Sequence, residues 1–129
     1  MKLTSGKLTI PVERDGQPTG EISFDPQDVA FASGFYALME GLEAREKEYA
    51  ALANAPLKQR LAAMESLCDW LWQQVEATFG HGSPQVLFGE HRSPELFRQF
   101  FVEVEPHIRA ARSQRLEAYR KTGDSGVMA

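Results

Sequence analysis

The 129-residue chain lacks most features that mark secreted or membrane proteins. It has a single cysteine, Cys68, so no disulfide can form within it. No apolar run approaches the roughly 20 residues that a membrane-spanning helix needs. The opening residues, MKLTSGKLTI, lack the long apolar segment of a signal peptide. We therefore expect a protein of the reducing cytoplasm with no membrane partner.

An excess of positive charge is also absent. The net charge is −4 and the pI is about 5.4, so the chain has no overall attraction for nucleic acid. Charge is nevertheless uneven, because residues 26–55 are acidic and residues 106–129 are basic. The basic segment 107–121 has Tyr119 as its one aromatic residue, so we expect no nucleic-acid partner. It is either a solvated face docked on the acidic helix or a surface for an acidic partner.

Motifs for catalysis or metal binding are missing as well. His81 and His91 are ten residues apart, and no HExxH or CxxC spacing occurs. Cys68 lies in an apolar helical pattern, where a thiol usually behaves as a small inert hydrophobe. Neither GxSxG nor GxxxxGK[ST] is present. We therefore predict a non-enzymatic protein with no catalytic, cofactor-binding or metal-binding residues. The alternative is a site that only the folded chain assembles.

What the chain does have is a core-forming composition, with 43% hydrophobic residues, and we predict one domain over residues 1–129. Its parts are a β-hairpin over 1–24, a helical core over 25–121 and a flexible tail over 122–129. In the hairpin, KLTIPV and EISF alternate polar and apolar residues around the turn-rich ERDGQPTG. This pattern predicts strands at about 2–12 and 20–24. It places Leu8, Ile10 and Val12 on one face with Ile22 and Phe24 of the partner strand.

Apolar residues then recur at helical spacing in two long segments. Asp25 followed by Pro26 predicts the cap and first turn of one helix, and Pro56 begins a second. Glycines 34 and 41 lie within the first helix. The predicted buried stripes are Phe31, Phe35, Leu38, Leu42 and Tyr49 in the first helix, and Leu57, Leu61, Met64, Leu67 or Cys68, Leu71, Val75 and Phe79 in the second.

The stretch FGHGSPQVLFGEHRSPELFRQFF, residues 79–101, is dense in helix ends and helix starts. Ser83-Pro84 begins a short helical plug that ends at Gly89, and Ser93-Pro94 begins the last helix. Pro106 should kink that helix or split it in two. The fold class is therefore mainly α: an N-terminal β-hairpin followed by three main helices, with a short helical plug between the second and third.

The adjacent residues Trp70 and Trp72 raise the question of surface binding. They lie about 200° apart on a helical wheel, so one core face cannot hold both. Either the second helix is covered on two sides, or one tryptophan faces a partner.

This layout resembles the small tail assembly chaperones of long-tailed, non-contractile bacteriophages and prophages. The resemblance covers about 90 residues, from the end of the hairpin to Ile108, and its motifs are structural. The chain departs from the family pattern in the basic extension beyond Pro106. The residues that carry the resemblance are Phe79, Gly80, Gly82, Ser83, Leu87, Phe88, Gly89, Leu96, Phe97, Phe100 and Phe101.

The resemblance implies a non-enzymatic protein that binds the tape-measure protein and keeps its apolar helices soluble before the tail tube assembles. It implies absence from the finished particle and, in some members, a longer product made by ribosomal frameshifting. Trp70, Trp72, Phe97 and Phe101 are the candidate partner-binding residues, since large aromatic residues dominate interface energies. Each could instead belong to the core. Self-association is a further expectation, and a connector or tail completion protein retained in the particle is the alternative function.

Overall fold

The computed structural model describes the backbone of residues 1–128 and the side chains of residues 1–113. Strands β1 (Leu8–Arg14) and β2 (Gln17–Phe24) form an antiparallel hairpin. The helices are α1 (Val29–Ala50), α2 (Leu57–Phe79), α3 (Ser83–Phe88) and α4 (Pro94–Met128). The predicted fold class is confirmed: a hairpin, three long helices and a short helical plug between the second and third of them.

The two strands of the hairpin extend further toward the turn than the sequence pattern predicts, and the turn is correspondingly shorter. Asp15 and Gly16 both have positive φ, 54° and 79°, as a two-residue type I′ turn requires. The strands therefore run to Arg14 and resume at Gln17, and the predicted loop over ERDGQPTG is wrong. The predicted faces are confirmed, because Leu8 pairs with Phe24 and Ile10 with Ile22.

Helix α1 begins three residues later than its proline predicts. Asp28 is the N-cap, and its Oδ1 accepts hydrogen bonds from the amides of Ala30 at 2.8 Å and Phe31 at 3.4 Å. The predicted cap, Asp25, instead accepts from the Gln27 amide at 2.9 Å and forms a turn ahead of the helix. Asp25-Pro26, which was predicted to start α1, thus forms a turn, and a second aspartate, Asp28, caps the helix.

The core contains a continuous aromatic cluster that includes one ring of the plug. Phe88 of α3 lies 4.3 Å from the Phe97 ring and 5.9 Å from the Phe100 ring, both on α4. Phe79 at the end of α2 packs edge-on against Phe24 of β2 at 5.3 Å and against Phe100 at 4.9 Å. Helix α3 therefore joins the hairpin to the long helices through one set of rings.

Helix α4 passes through Pro106 as one element, so of the two predicted outcomes the split does not occur and the kink stays a prediction. Its buried residues are Phe97, Phe100, Val104, Ile108 and Ala111. The predicted tail over 122–129 concerns side chains outside the described residues, and its flexibility stays a prediction.

Replacing each of the two glycines of α1 by alanine is expected to change the free energy of unfolding in opposite directions. A Cβ at Gly41 would lie 2.7 Å from Cζ2 of Trp70, whose ring is held by the Arg45 guanidinium 3.8 Å from its centroid. A Cβ at Gly34 would have Thr78 Oγ1, at 3.9 Å, as its nearest neighbour. Gly34→Ala should raise the free energy of unfolding by about 0.5–1 kcal/mol. Gly41→Ala should lower it by about 1–2 kcal/mol, because the overpacking outweighs the helix gain.

Urea unfolding of both variants, followed by circular dichroism, measures these changes. Equal stabilisation by both would contradict the close approach of Trp70 to α1.

Candidate partner-binding groove

An apolar groove of about 550 Å³ opens between α1, α2 and α4. Its walls come from the C-terminal half of α1, the N-terminal half of α2 and the first turns of α4. The apolar lining residues are Leu42, Tyr49, Met64, Leu67, Cys68, Leu71, Pro94, Phe97, Phe101 and Val102. A long apolar cleft of this kind is the usual docking site for one face of an amphipathic helix.

The groove exists because α4 covers only part of α1 and α2. Arg92, just before α4, donates from Nε to Asp69 Oδ1 at 2.9 Å, and its carbonyl oxygen lies 3.8 Å from Cys68 Sγ. These contacts place the start of α4 beside the middle of α2. From there α4 runs toward the start of α1, where Ile108 and Ala32 line the same small cleft. The end of α1 and the start of α2 are left uncovered.

Charged groups at the mouth of the groove are largely paired within α4. Arg98 donates to the Glu95 carboxylate, and this bond, with a second from Gln99, lowers the pKa of Glu95 to about 2. Arg109 likewise donates to Glu105, with Nε 3.0 Å from Oε1. The α4 side of the mouth is therefore balanced in charge, Glu46 of α1 adds one further carboxylate, and the apolar floor is the feature available to a partner.

A larger cleft of about 640 Å³ lies between β1 and α4, but its lining suits a different ligand. Glu13, Arg14, Asp15, Arg98 and Glu103 all line it. An apolar helix docked there would have to desolvate these groups, so the smaller groove is the better candidate.

The predicted partner-binding residues do not form one surface. Phe101 is half-buried on the groove wall, 6.5 Å from the Phe35 ring. Phe97 is 2% exposed and packs on Phe88, so it belongs to the floor of the groove, and its role in partner binding stays a prediction. Trp70 and Trp72 are half-buried and lie outside the groove.

The tryptophans show that α2 is covered on two sides. Trp70 packs on α1 at Gly41, beneath the Arg45 guanidinium. Trp72 lies 6.1 Å from the Phe88 ring and carries the Arg92 guanidinium 4.0 Å from its centroid. Of the two interpretations that the sequence left open, coverage on both sides is the observed one. Binding through either tryptophan stays a prediction.

Sequence reasoning missed Met64, Leu67, Leu42 and Tyr49 as groove residues and assigned them to the core. The sequence feature that could have revealed the groove is the length of the apolar stripes on α1 and α2. Together these stripes extend over more helical turns than the start of α4 can cover.

The groups considered for chemistry do not converge in the described part of the chain. His81 Nδ1 lies 3.3 Å from Glu76 Oε1 on the surface. Burial raises the pKa of the Cys68 thiol, which keeps it protonated near neutral pH. Within the described residues, no group of three or more His, Cys, Asp or Glu side chains is placed to hold a metal ion. Nor, among those residues, is any helix long and apolar enough to cross a membrane.

Comparison of the chain with protein-family models, with curated proteins and with solved structures finds no match.

Proposed function

We propose that this protein is a non-enzymatic chaperone that binds apolar helical segments in the groove between α1, α2 and α4. The observation that carries the proposal is the groove itself: three helical walls, an apolar floor and an open mouth. A client helix with apolar residues at i, i+3 or i+4, and i+7 would place one stripe on this floor. Binding would bury surface on both sides and keep the client from aggregating.

The client class comes from the resemblance to phage tail assembly chaperones. In that setting the client is the tape-measure protein, whose long apolar helices need cover in the host cytoplasm before the tail tube forms around them. Three of the residues that carry the resemblance support the fold that opens the groove: Phe97 lines its floor, Phe88 packs on Phe97, and Gly89 ends the plug. The proposal needs no cofactor and no turnover.

Phe101 and Leu67 are the client contacts that we assign first. Both are half-buried on opposite walls of the groove, so each has surface left to bury. Val102, 57% exposed, stands at the mouth beside Phe101.

A charge at the groove mouth should therefore weaken client binding. Val102→Glu is expected to reduce affinity for the tape-measure protein of the same genome at least tenfold, or about 1.4 kcal/mol, because its carboxylate would lose water against an apolar helix. The measurement is co-expression of the two proteins, followed by the soluble fraction of the client and by titration of a soluble client fragment.

The matched control is Val29→Glu, which introduces the same charge at an exposed valine of α1, outside the groove. Both variants should fold, since neither valine is buried. The groove assignment fails if Val102→Glu and Val29→Glu bind the client equally well. The chaperone proposal itself fails if the unmodified chain leaves the client as insoluble as it is alone.

Particle composition distinguishes a chaperone from a structural component. Mass spectrometry of purified particles should find the chain absent if it acts only before assembly. Whole-number copies in the particle would favour the connector or tail completion protein instead. Products translated from the native gene and its downstream DNA bear on the same question, since a longer minor product is expected only for the chaperone.

A further inference from the structure

The first two turns of α2 carry an apolar stripe that nothing in the described chain covers. Leu57 is 61% exposed and Leu61 is 59% exposed, although both were predicted to be buried. At about 100° per residue, they share a narrow face with Met64 and Cys68, which line the groove further along the helix. The stripe thus runs along α2 from Cys68 and Met64 in the groove to Leu61 and Leu57 outside it.

Charged residues along one edge of this stripe indicate what could cover it. Lys58 and Glu65 lie about 20° apart on the helical wheel and seven residues apart in sequence. Their axial separation within one chain is about 10.5 Å, too far for an ion pair. Neither forms a salt bridge among the described residues, whereas Asp69 on the same edge is already paired with Arg92. Arg60, on the other edge, donates to the Ala55 carbonyl at 3.1 Å.

We propose that a second copy of this chain docks on this stripe, with the two α2 helices antiparallel across a two-fold axis near Leu61. In an antiparallel helix pair, residues on the same edge of each stripe face one another across the seam. When Leu61 of one copy packs on Met64 of the other, the nearest pair along that edge is Lys58 with the second copy's Glu65. Symmetry then provides the same pair twice.

The charge pattern favours a copy of the chain over an unrelated helix. The stripe edge is basic at residue 58 and acidic at residue 65. When a second copy runs in the opposite direction, its acidic end lies beside the basic end of the first copy, so the two edges are complementary in charge. An isologous antiparallel contact therefore pairs both charges, whereas a parallel two-fold arrangement would place this edge against the opposite edge of the partner stripe and leave Lys58 without Glu65. The inference does not rest on the proposed function, because it is argued from the exposed start of α2 and its charges, although Met64 belongs both to this stripe and to the lining of the client groove.

Sedimentation of the full chain over a wide concentration range tests the proposal. The unmodified protein should pass from monomer to dimer as concentration rises. Leu61→Glu should remain monomeric, whereas Leu3→Glu, which changes another exposed leucine outside the stripe, should dimerise like the unmodified protein. A monomer at every concentration, or a dimer that survives Leu61→Glu, overturns the proposal.

A charge exchange tests the antiparallel arrangement without touching the apolar stripe. Lys58→Glu and Glu65→Lys should each weaken dimerisation about tenfold, since each turns two attractive contacts into two repulsive ones. The double variant Lys58→Glu/Glu65→Lys should return the dissociation constant to within about twofold of the original. Because the two residues do not meet within one chain, this rescue requires a contact between copies. A double variant as weak as either single variant would overturn the arrangement.

Discussion

Replacing Phe88 by alanine is expected to lower the free energy of unfolding by about 3–5 kcal/mol. The ring is 1% exposed and touches three others, with centroids 4.3 Å away at Phe97, 5.9 Å at Phe100 and 6.1 Å at Trp72. Its removal loses these contacts and leaves a cavity where α2, α3 and α4 meet. A domain of this size has about 5–15 kcal/mol of stability, so the variant should be partly unfolded near 37 °C.

The matched control is Leu87→Ala on the same short helix. Leu87 is half-buried, so less of its surface returns to water and the cost should be no more than about half as large. Urea unfolding at equal protein concentration gives both values. If the two substitutions cost the same, Phe88 is not the centre of the core that its ring contacts indicate.

Much of this fold could be predicted from the spacing of apolar residues and from the residues that start and end helices. The alternation in KLTIPV and EISF placed the correct residues on the inner face of the hairpin, because side chains in a strand alternate whatever covers them. Ser83-Pro84 and Ser93-Pro94 marked the starts of α3 and α4 to within a residue, because proline is strongly favoured in the first turn of a helix.

The errors arose where one local signal had two competing explanations. Pro18 suggested a long loop, but a two-residue Asp-Gly turn fixes the register and leaves Pro18 at the start of a strand opposite an irregularity between Val12 and Glu13. Asp25 and Asp28 could each cap α1, and only the path of the chain into the helix decides between them.

The candidate site was harder to predict because a groove and a core have the same apolar pattern. Phe97 and Phe101 are four residues apart on one stripe of α4 and both line the groove, yet Phe97 is buried against the plug and Phe101 is half-exposed. Likewise, Leu57 and Val75 lie on the same face of α2, and the difference in their exposure depends on where α4 begins. Periodicity tells which residues share a face, but only tertiary structure tells what covers that face.

One carbonyl of the plug accepts two hydrogen bonds from the hairpin, in addition to the ring contacts of the core. The Val86 oxygen accepts from Arg14 Nη1 at 3.0 Å and from Thr19 Oγ1 at 2.7 Å. Gly89 ends α3 directly beneath the same guanidinium, with φ at 63° and ψ at −121°. This arrangement explains why a glycine is needed there for two separate reasons: its backbone conformation and the closeness of Arg14.

Gly89→Ala is therefore expected to lower the free energy of unfolding by about 2–5 kcal/mol. The backbone strain of a side chain at this φ and ψ accounts for about 1–3 kcal/mol. The added Cβ would also lie 2.7 Å from Arg14 Nη2, so the guanidinium would have to move and its hydrogen bond to Val86 would be lost, at about 1–2 kcal/mol. Thermal and urea unfolding measure the total.

Gly80→Ala separates the two contributions. Gly80 also has a positive φ, 108°, but a Cβ there would meet nothing within 4 Å, so this variant should cost about 1–2 kcal/mol less than Gly89→Ala. In a background that carries Arg14→Ala, the extra cost of Gly89→Ala should disappear, because the displaced group is gone. If the cost of Gly89→Ala is the same with and without Arg14, backbone strain alone accounts for it, and the plug does not hold the hairpin through this contact.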